Sequence, residues 1–321
     1  MANILFAWEL GSGWGHLTSI FPLAAGLAQR GHRVVAVVRD MPRAARLFES
    51  TAVELLPAPA LGRVAENRFQ PICTYAHLLY NTICRSESTL PTLLQFWKSL
   101  FDRTSPDLLV ADHSPAALLA ARGGSFGQVA IGTGFSAPAP VAPFPNWRPW
   151  LNTPPERLWN DEQLVLHTIN QHLAPSVALA ALSDLYRDVD DTILMTWPEL
   201  DPFGQVRKRG LYVGGWPELP GKAPQWPRAE GPRVFAYLRP LLWLPALLEM
   251  LGESPYSVIA RIPGADAARW NERTPDNIVV ENEFLDIPHV ARQCDAALCH
   301  ATHIMTMSLL SAGRPLVMAP P

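Results

Sequence analysis

The first forty residues place a glycine-rich turn between two apolar runs, in the order expected of a strand, a helix and a second strand. A mostly apolar run over 4–10 is followed by Gly11-Ser12-Gly13-Trp14-Gly15-His16, and a second apolar run covers 34–38. Between the runs, apolar residues recur at the three- and four-residue spacing of a helix that buries one face: Leu17, Ile20, Leu23, Ala24 and Leu27. The pattern predicts a βαβ unit, with Gly31 as the C-terminal cap of the helix. It places His16 where the glycine loop becomes the helix.

Apolar segments further along the first two thirds of the chain continue this alternation. The patterns predict strands at 106–112, 128–132 and 192–196, helices at 116–122 and 156–186, and a proline-rich loop at 133–149. Alternating strands and helices are typical of a doubly wound parallel sheet. Ligands of such sheets bind at the carboxyl ends of the strands. We therefore expect His16 and Asp112, which both follow strands, to lie close together there.

A proline-rich stretch without periodicity separates this alternation from a second one. The second alternation predicts strands at 234–238, 256–262, 277–280, 296–300 and 315–319, and helices at 241–251, 287–293 and 306–311. We predict three segments: an N-terminal domain at 1–214, a linker at 215–232 and a C-terminal domain at 233–321. The predicted fold class is α/β, with two Rossmann-like, doubly wound parallel-sheet domains that face a cleft.

Composition narrows the classes of partner. The chain has 321 residues, 48% hydrophobic residues and a formal net charge of -3, which gives no basic surplus for nucleic acid. No apolar run is long enough for a transmembrane helix, so we expect a cytoplasmic protein without a signal peptide. A peripheral contact with a membrane stays open. The four cysteines have no paired metal spacing, and we expect no metal site.

Several short motifs occur in an order that is specific when they are taken together. They are Gly13-Trp14-Gly15-His16, Pro106-Asp107 to Asp112, Ile131-Gly132-Thr133-Gly134-Phe135, and Cys299-His300-Ala301-Thr302-His303 followed by Gly313-Arg314-Pro315. In these motifs the chain resembles the two-domain GT-B glycosyltransferases, in the group that includes the UDP-glycosyltransferases and the MurG-like enzymes. The resemblance implies that the N-terminal domain binds a hydroxyl acceptor and that the C-terminal domain binds a nucleotide sugar, with a UDP-linked donor expected. It implies no metal and no cofactor other than that co-substrate.

The resemblance also implies roles for individual residues. His16 matches the general base of an inverting transfer, and Asp112 matches the carboxylate that orients that imidazole. On the donor side, His300 matches the first residue of the family's diphosphate loop, which continues through Ala301, Thr302 and His303. Apart from the resemblance, Arg239 is a candidate partner of a phosphate, and Glu9, Trp14 and Phe135 are candidates for binding an acceptor, which is a small molecule, a glycan or a lipid. Local structural roles compete with these assignments: a packed or capping histidine, an Asp112 that caps the next helix, a solvated Glu9, and a Trp14 that packs in its loop.

The donor loop departs from the family pattern. Thr302, Ile304 and Met305 stand where the family has glycines and a small hydroxyl residue, and Arg239-Pro240 replaces a flexible pair. A β-branched Ile304 resists the positive φ that glycine permits. The chain also ends at Pro321, before the family's acidic-Gln motif. We therefore expect an incomplete second domain and weak binding of nucleotide sugar.

Two rival functions stay open. A dinucleotide-dependent oxidoreductase is favoured by Asp40 at the end of the second strand, where an acid could bind a ribose. The glycine spacing opposes it, because His16 stands where the third glycine should be. The second rival is a catalytically weakened relative that kept the fold as a binding or partner-activating module, which the altered donor loop would allow.

Overall fold

The computed structural model describes residues 1–62, 68–215 and 221–320. The chain divides into two compact units, Met1–Gly214 and Gly215–Pro321. Each unit has its own sheet, and the two sheets contain seven and five strands. All the strand pairs within these sheets are parallel. The predicted α/β class with two parallel sheets is therefore confirmed.

The first unit is built on a seven-stranded sheet. Its strands are β1 (Asn3–Trp8), β2 (Arg33–Val38), β3 (Glu54–Pro57), β4 (Leu108–Asp112), β5 (Gly127–Gly132), β6 (Asp191–Leu194) and β7 (Leu211–Tyr212). They lie side by side in the order β3-β2-β1-β4-β5-β6-β7. The strand order therefore reverses between β1 and β4, and that reversal is the place where such sheets bind ligands.

Among its described residues, the first unit has seven α-helices. They are α1 (Trp14–Gln29), α2 (Met41–Phe48), α3 (Tyr75–Thr82), α4 (Thr89–Thr104), α5 (Pro115–Ala121), α6 (Pro155–Asn170) and α7 (Asp184–Arg187). The single helix predicted over 156–186 is wrong, because α6 ends at Asn170 and a short 3₁₀ turn at Pro175–Val177 precedes α7. Proline lacks the N–H that a continuing helix requires. Arg30 is the C-cap residue of α1, and Gly31, which the sequence predicted as the cap, follows it with a left-handed φ of 84°.

The second unit repeats the same layout with five strands. Its strands are β8 (Arg233–Tyr237), β9 (Ser257–Arg261), β10 (Ile278–Glu281), β11 (Ala296–Cys299) and β12 (Leu316–Met318), and its helices are α8 (Leu244–Gly252), α9 (Ala267–Asn271), α10 (Ile287–Gln293) and α11 (His303–Ser311). The strand order is β10-β9-β8-β11-β12. It reverses between β8 and β11, just as the first sheet reverses between β1 and β4.

Part of the predicted linker belongs to the second unit. Residues 216–220 lie outside the described residues, but the backbone of Lys222 bonds to Phe284 and Asp286. The Lys222 ammonium also pairs with Glu281 at 2.7 Å. The described end of the stretch is therefore packed on its own sheet.

No helix in the described ranges combines the length and the apolar character that crossing a membrane requires.

Candidate active site

The strand reversal of the first sheet brings the two predicted catalytic residues together. Strands β1 and β4 are neighbours, and Trp8 at the end of β1 lies opposite Asp112 at the end of β4. The loop that leaves β1 runs into α1, so His16 in the first turn of that helix returns to the end of β4. Both side chains therefore occupy the carboxyl edge of the sheet.

The contact between His16 and Asp112 is direct. Nδ1 of His16 lies 2.9 Å from Oδ2 of Asp112, and the Asp112 side chain is only 2% exposed. A carboxylate oxygen accepts hydrogen bonds, so Nδ1 carries the proton of this contact, and in the neutral imidazole Nε2 then has a free lone pair. The His16 side chain is 20% exposed. This arrangement leaves the imidazole ready to accept a proton at Nε2.

The glycine loop leaves room for that nitrogen. A Cβ on Gly11 would lie 2.5 Å from Nε2 of His16, closer than real Cβ atoms approach a neighbour. Gly11 also has a φ of 83°, a conformation that L side chains rarely adopt. Gly13, with a φ of 92°, directly precedes α1 and has nothing within 4 Å of its Cβ position. The two glycines thus serve different needs, space at Gly11 and backbone conformation at Gly13.

Aromatic rings enclose the imidazole. The ring of Trp8 stacks on His16 at a centroid distance of 5.0 Å, and the ring of His113 stacks on it at 5.8 Å. Phe135 meets His113 edge-on at 5.9 Å and stacks on Trp147 at 5.0 Å. Phe135 is 43% exposed. Phe135 therefore joins this aromatic group through His113 while part of its ring stays exposed.

His113 also belongs to the site, although the sequence motifs do not predict it there. It adopts a left-handed backbone with a φ of 48° and is buried. Its Nε2 is enclosed and has no hydrogen-bond partner among the described residues. Burial, the neighbouring His16 and Arg39 lower the pKa of His113 to about 3. His113 is therefore a neutral imidazole, and nothing in its sequence context distinguishes it from a surface histidine.

Glu9 requires a correction. Its position after a strand predicts an acceptor-binding residue or a solvated carboxylate, but the structure buries Glu9 completely. Its carboxylate accepts hydrogen bonds from Nε1 of Trp97 at 2.9 Å and from the backbone N–H groups of Ala116 and Ala117 at 3.1 and 3.2 Å. Burial raises the pKa of Glu9 to about 7, against these donors, which lower it. Glu9 is consequently a core residue beneath the site.

Trp14 begins α1 and is half-buried. The Arg43 guanidinium lies over its ring, 5.6 Å from the centroid. This contact fits the packing role considered for Trp14. Its role in acceptor binding, like that of Phe135, stays a prediction.

The second sheet repeats the arrangement with different chemistry. Tyr237 at the end of β8 lies opposite Cys299 at the end of β11, and His300 follows directly. Nδ1 of His300 donates to the backbone oxygen of Tyr237 at 2.9 Å, and the two rings stack at 5.0 Å. Burial lowers the pKa of His300, and the nearby Arg239 lowers it further. The reversal thus brings together two of the predicted donor residues, Arg239 and His300.

The strained position of the donor loop is not where the sequence placed it. Ile304 lies inside α11, whose φ angles any residue adopts, whereas Ala301 has a φ of 60°. Thr302 precedes the helix in an extended conformation without capping it. Its Oγ1 is enclosed and has no partner among the described residues. The position that favours glycine is therefore Ala301.

Within the described ranges, no group of three or more His, Cys, Asp or Glu side chains is arranged to hold a metal ion. The expectation that the chain works without a metal stays a prediction.

Comparison with known proteins places the fold. The sequence matches no family model, and no curated protein matches it. Among solved structures, the calicheamicin glycosyltransferase CalG4 is similar over 99% of this chain and 79% of its own, with a TM-score of 0.71 and 20% identity. The glycosyltransferase of kitacinnamycin is similar over 100% and 80%, with a TM-score of 0.69 and 18% identity. The glycosyltransferase VinC, solved with dTDP, is similar over 99% and 81%, with a TM-score of 0.58 and 16% identity.

These similarities span nearly the whole chain and include both parallel-sheet units. The chain has the GT-B glycosyltransferase fold, as the sequence motifs predicted.

Proposed function

We propose that this chain is an inverting glycosyltransferase that moves a sugar from a nucleotide-sugar donor, expected to be UDP-linked, to a hydroxyl acceptor. The observation that carries the proposal is the bond of 2.9 Å between Nδ1 of His16 and Oδ2 of Asp112. It stands at the strand reversal of the first unit of a GT-B fold. Fold alone does not define an activity, and this pair supplies the group that the chemistry needs.

In the proposed reaction, Nε2 of His16 takes the proton of the acceptor hydroxyl as its oxygen attacks the anomeric carbon. The new bond joins that oxygen to the sugar, and the bond from the sugar to the nucleoside diphosphate breaks. The diphosphate leaves with the electron pair. The buried Asp112 stabilises the imidazolium that forms. Attack opposite the leaving group inverts the configuration of the anomeric carbon.

The acceptor contacts in this proposal come from the aromatic group beside His16. Phe135 presents an exposed ring, and such a surface suits an acceptor with an apolar body and a hydroxyl group. A small molecule, a glycan or a lipid with such a body fits the proposal equally well.

The donor contacts in this proposal come from the second unit. Arg239 is exposed next to His300, and a guanidinium pairs well with phosphate. The helix α11 starts at His303, and the backbone N–H groups of a helix start favour an anion. VinC was solved with dTDP, a pyrimidine nucleoside diphosphate, which supports a donor of this class.

Two measurements on the full chain test the proposal. Calorimetry measures the binding of UDP, dTDP and NADH. Mass spectrometry then detects products after the chain is incubated with a UDP-sugar and a panel of phenols and sugar alcohols. We expect a nucleoside diphosphate to bind, weakly because the donor loop has Ala301 in a left-handed conformation and Thr302 beside it, where the family pattern has glycines, and a glycoside to form. Micromolar or tighter UDP binding would contradict only the expectation that binding is weak. Failure of UDP and dTDP to bind, at concentrations in the millimolar range, would overturn the transferase.

The second candidate is a non-catalytic binding or partner-activating module. It is favoured by the loop in which Ala301 takes a left-handed conformation and Ile304 and Met305 begin the helix. Nucleotide binding without turnover, in the assay above, would select it. The oxidoreductase has lost its main support, because the carboxylate of Asp40 caps α2 by accepting from the backbone N–H of Arg43 at 3.1 Å. NADH binding would restore it.

A further inference from the structure

The proposed function assigns no role to the buried carboxylate of Glu9, which lies near the His16–Asp112 pair. Glu9 directly follows β1 and is 0% exposed. Removing a carboxylate from water is costly unless its oxygens accept good hydrogen bonds. All three donors that meet the Glu9 carboxylate come from helices far along the chain, Trp97 in α4 and Ala116 and Ala117 in α5. The group therefore ties one loop of the site to two helices.

The tie to α5 replaces an ordinary helix cap. Ser114 occupies the N-cap position of α5, but its side chain makes no capping bond and its Oγ has no partner among the described residues. Serine at this position usually accepts from the first free N–H groups of the helix. Here Glu9 accepts from those groups instead. The start of α5 is thus fixed by a residue from the neighbouring strand.

The start of α5 lies next to Asp112, the carboxylate that bonds to His16. Only His113 and Ser114 separate Asp112 from α5, and the backbone oxygen of His113 accepts from the N–H of Leu10 at 3.0 Å. On the other side of Glu9, the ring of Trp8 stacks on His16. The two neighbours of Glu9 therefore contact His16 itself, through Trp8, and the residue that follows Asp112, through Leu10.

From this geometry we infer that Glu9 is a positioning residue, which acts through the first turn of α5 to hold Asp112 against Nδ1 of His16. The role of the pair as a proton acceptor rests on the proposed function, whereas the positioning of one side chain by another does not. A carboxylate that only stabilised the core would leave the His16–Asp112 bond unchanged when it is replaced.

The tautomer of His16 reports on that bond without any substrate. While Asp112 accepts from Nδ1, His16 stays in the Nδ1–H form, and a weaker bond admits the Nε2–H form. Nitrogen-15 spectra of the full chain with labelled histidine, above the titration range of histidine, measure the ratio of the two forms. The loss of the His16 signal in His16→Asn assigns it.

The test compares Glu9→Gln with Glu162→Gln. Glu162 is also a buried carboxylate of the first unit, and it accepts from the backbone N–H of Phe144 at 2.7 Å. We expect Glu9→Gln to move the His16 tautomer ratio about tenfold toward Nε2–H, as for one lost hydrogen bond of ordinary net strength. Glu162→Gln should leave the ratio as in the parent chain.

An unchanged His16 ratio in folded Glu9→Gln overturns the inference, and so does an equal shift in both variants. Should Glu9→Gln fail to fold, Trp97→Phe removes one donor and keeps the carboxylate, and a smaller shift in the same direction is expected. An unchanged ratio in Trp97→Phe would then overturn the inference. Because no sugar is present, a chain without transferase activity still gives the same answer, so failure of the proposed function is seen separately.

Discussion

The two units have a histidine at the same topological position, but the hydrogen-bond partners of the two histidines differ. Each sheet reverses its strand order between its first and fourth strands, and each places a histidine just beyond that reversal. In the first unit, His16 bonds to a carboxylate side chain that is itself buried. In the second unit, His300 bonds to a backbone oxygen, and the hydroxyl of Thr302 has no partner among the described residues.

This difference teaches what each position is suited for. A side-chain carboxylate at Nδ1 makes an imidazole a better base, because it stabilises the charge that the base acquires. A backbone oxygen fixes the ring and its tautomer without contributing a full charge. The first position is therefore suited to proton transfer, and the second to binding a ligand through neutral donors and acceptors.

The largest expected effect tests this contrast directly. His16→Ala should lower turnover by about 10²- to 10⁴-fold, the range for a lost general base, and leave UDP affinity nearly unchanged. His300→Ala should have the opposite pattern. It should leave turnover nearly unchanged and weaken UDP binding by about tenfold, as for one lost hydrogen bond. Initial rates and calorimetry on the same preparations measure both. Unchanged turnover in His16→Ala would remove its assignment as the base.

The second prediction concerns the buried charge under the first position. The pKa of Glu9 rises from 4.5 to about 7 on folding, so the folded chain holds that proton more tightly than the unfolded chain. The resulting stabilisation is fully present below pH 4.5 and is lost as the pH rises through 7. The shift corresponds to a change on the order of 3 kcal/mol in the free energy of unfolding.

Urea denaturation of the parent chain and Glu9→Gln at pH 5 and pH 8 measures this change. The stability advantage of the parent over the variant should shrink between the two pH values. His113, whose pKa is lowered by burial, gives the opposite trend in both proteins, so it cancels in the difference. A difference that does not depend on pH would contradict the raised pKa of Glu9.

The third prediction uses two glycines of the same loop. Gly11→Ala and Gly13→Ala both place a side chain at a positive φ, but only the first would put its Cβ against Nε2 of His16. Both should destabilise the first unit, by about 1–3 kcal/mol each. Gly11→Ala alone should also lower turnover, by about 10- to 100-fold, because the base is displaced. Equal turnover in the two variants would show that the space above Nε2 is not needed.

The sequence predicted the His16–Asp112 contact because its causes are local and general. Each residue follows an apolar run that is typical of a strand, and the topology of parallel sheets brings those strand ends together. The break in the predicted helix over 156–186 also had a visible signal, the proline at 175. Helix α4 also had a visible signal in the sequence, because apolar residues recur at helical spacing there: Leu90, Leu93, Leu94, Trp97 and Phe101.

Glu9 and Ala301 could not be predicted in this way. The burial of Glu9 depends on Trp97, which lies 88 residues further along the chain, and a carboxylate after a strand is usually solvated. The strain in the donor loop depends on where α11 begins, and that start differs by three residues from the predicted one at 306. Helix ends are set by the surrounding contacts as much as by the local sequence.

The smallest expected effect concerns this strained residue of the second unit. Ala301→Gly should relieve the left-handed conformation, at φ 60°, and the gain is partly offset by the larger freedom of glycine in the unfolded chain. The net rise in stability should be about 0.5 kcal/mol. Ala312→Gly is the matched control, because Ala312 is the C-cap residue of the same helix and has a negative φ of -86°; this variant should lose up to about 1 kcal/mol.

Thermal unfolding of the two variants, with UDP titrations alongside, decides what the strain at Ala301 does. If the second position binds a diphosphate through backbone N–H groups, Ala301→Gly should also bind UDP at least as well as the parent chain, because glycine lets the backbone approach more closely. Weaker UDP binding in a more stable Ala301→Gly protein would show that the alanine conformation itself contributes to the site. The donor loop would then be a functional variant of the family's loop, and the second unit would be as suited to its ligand as the first unit is to proton transfer.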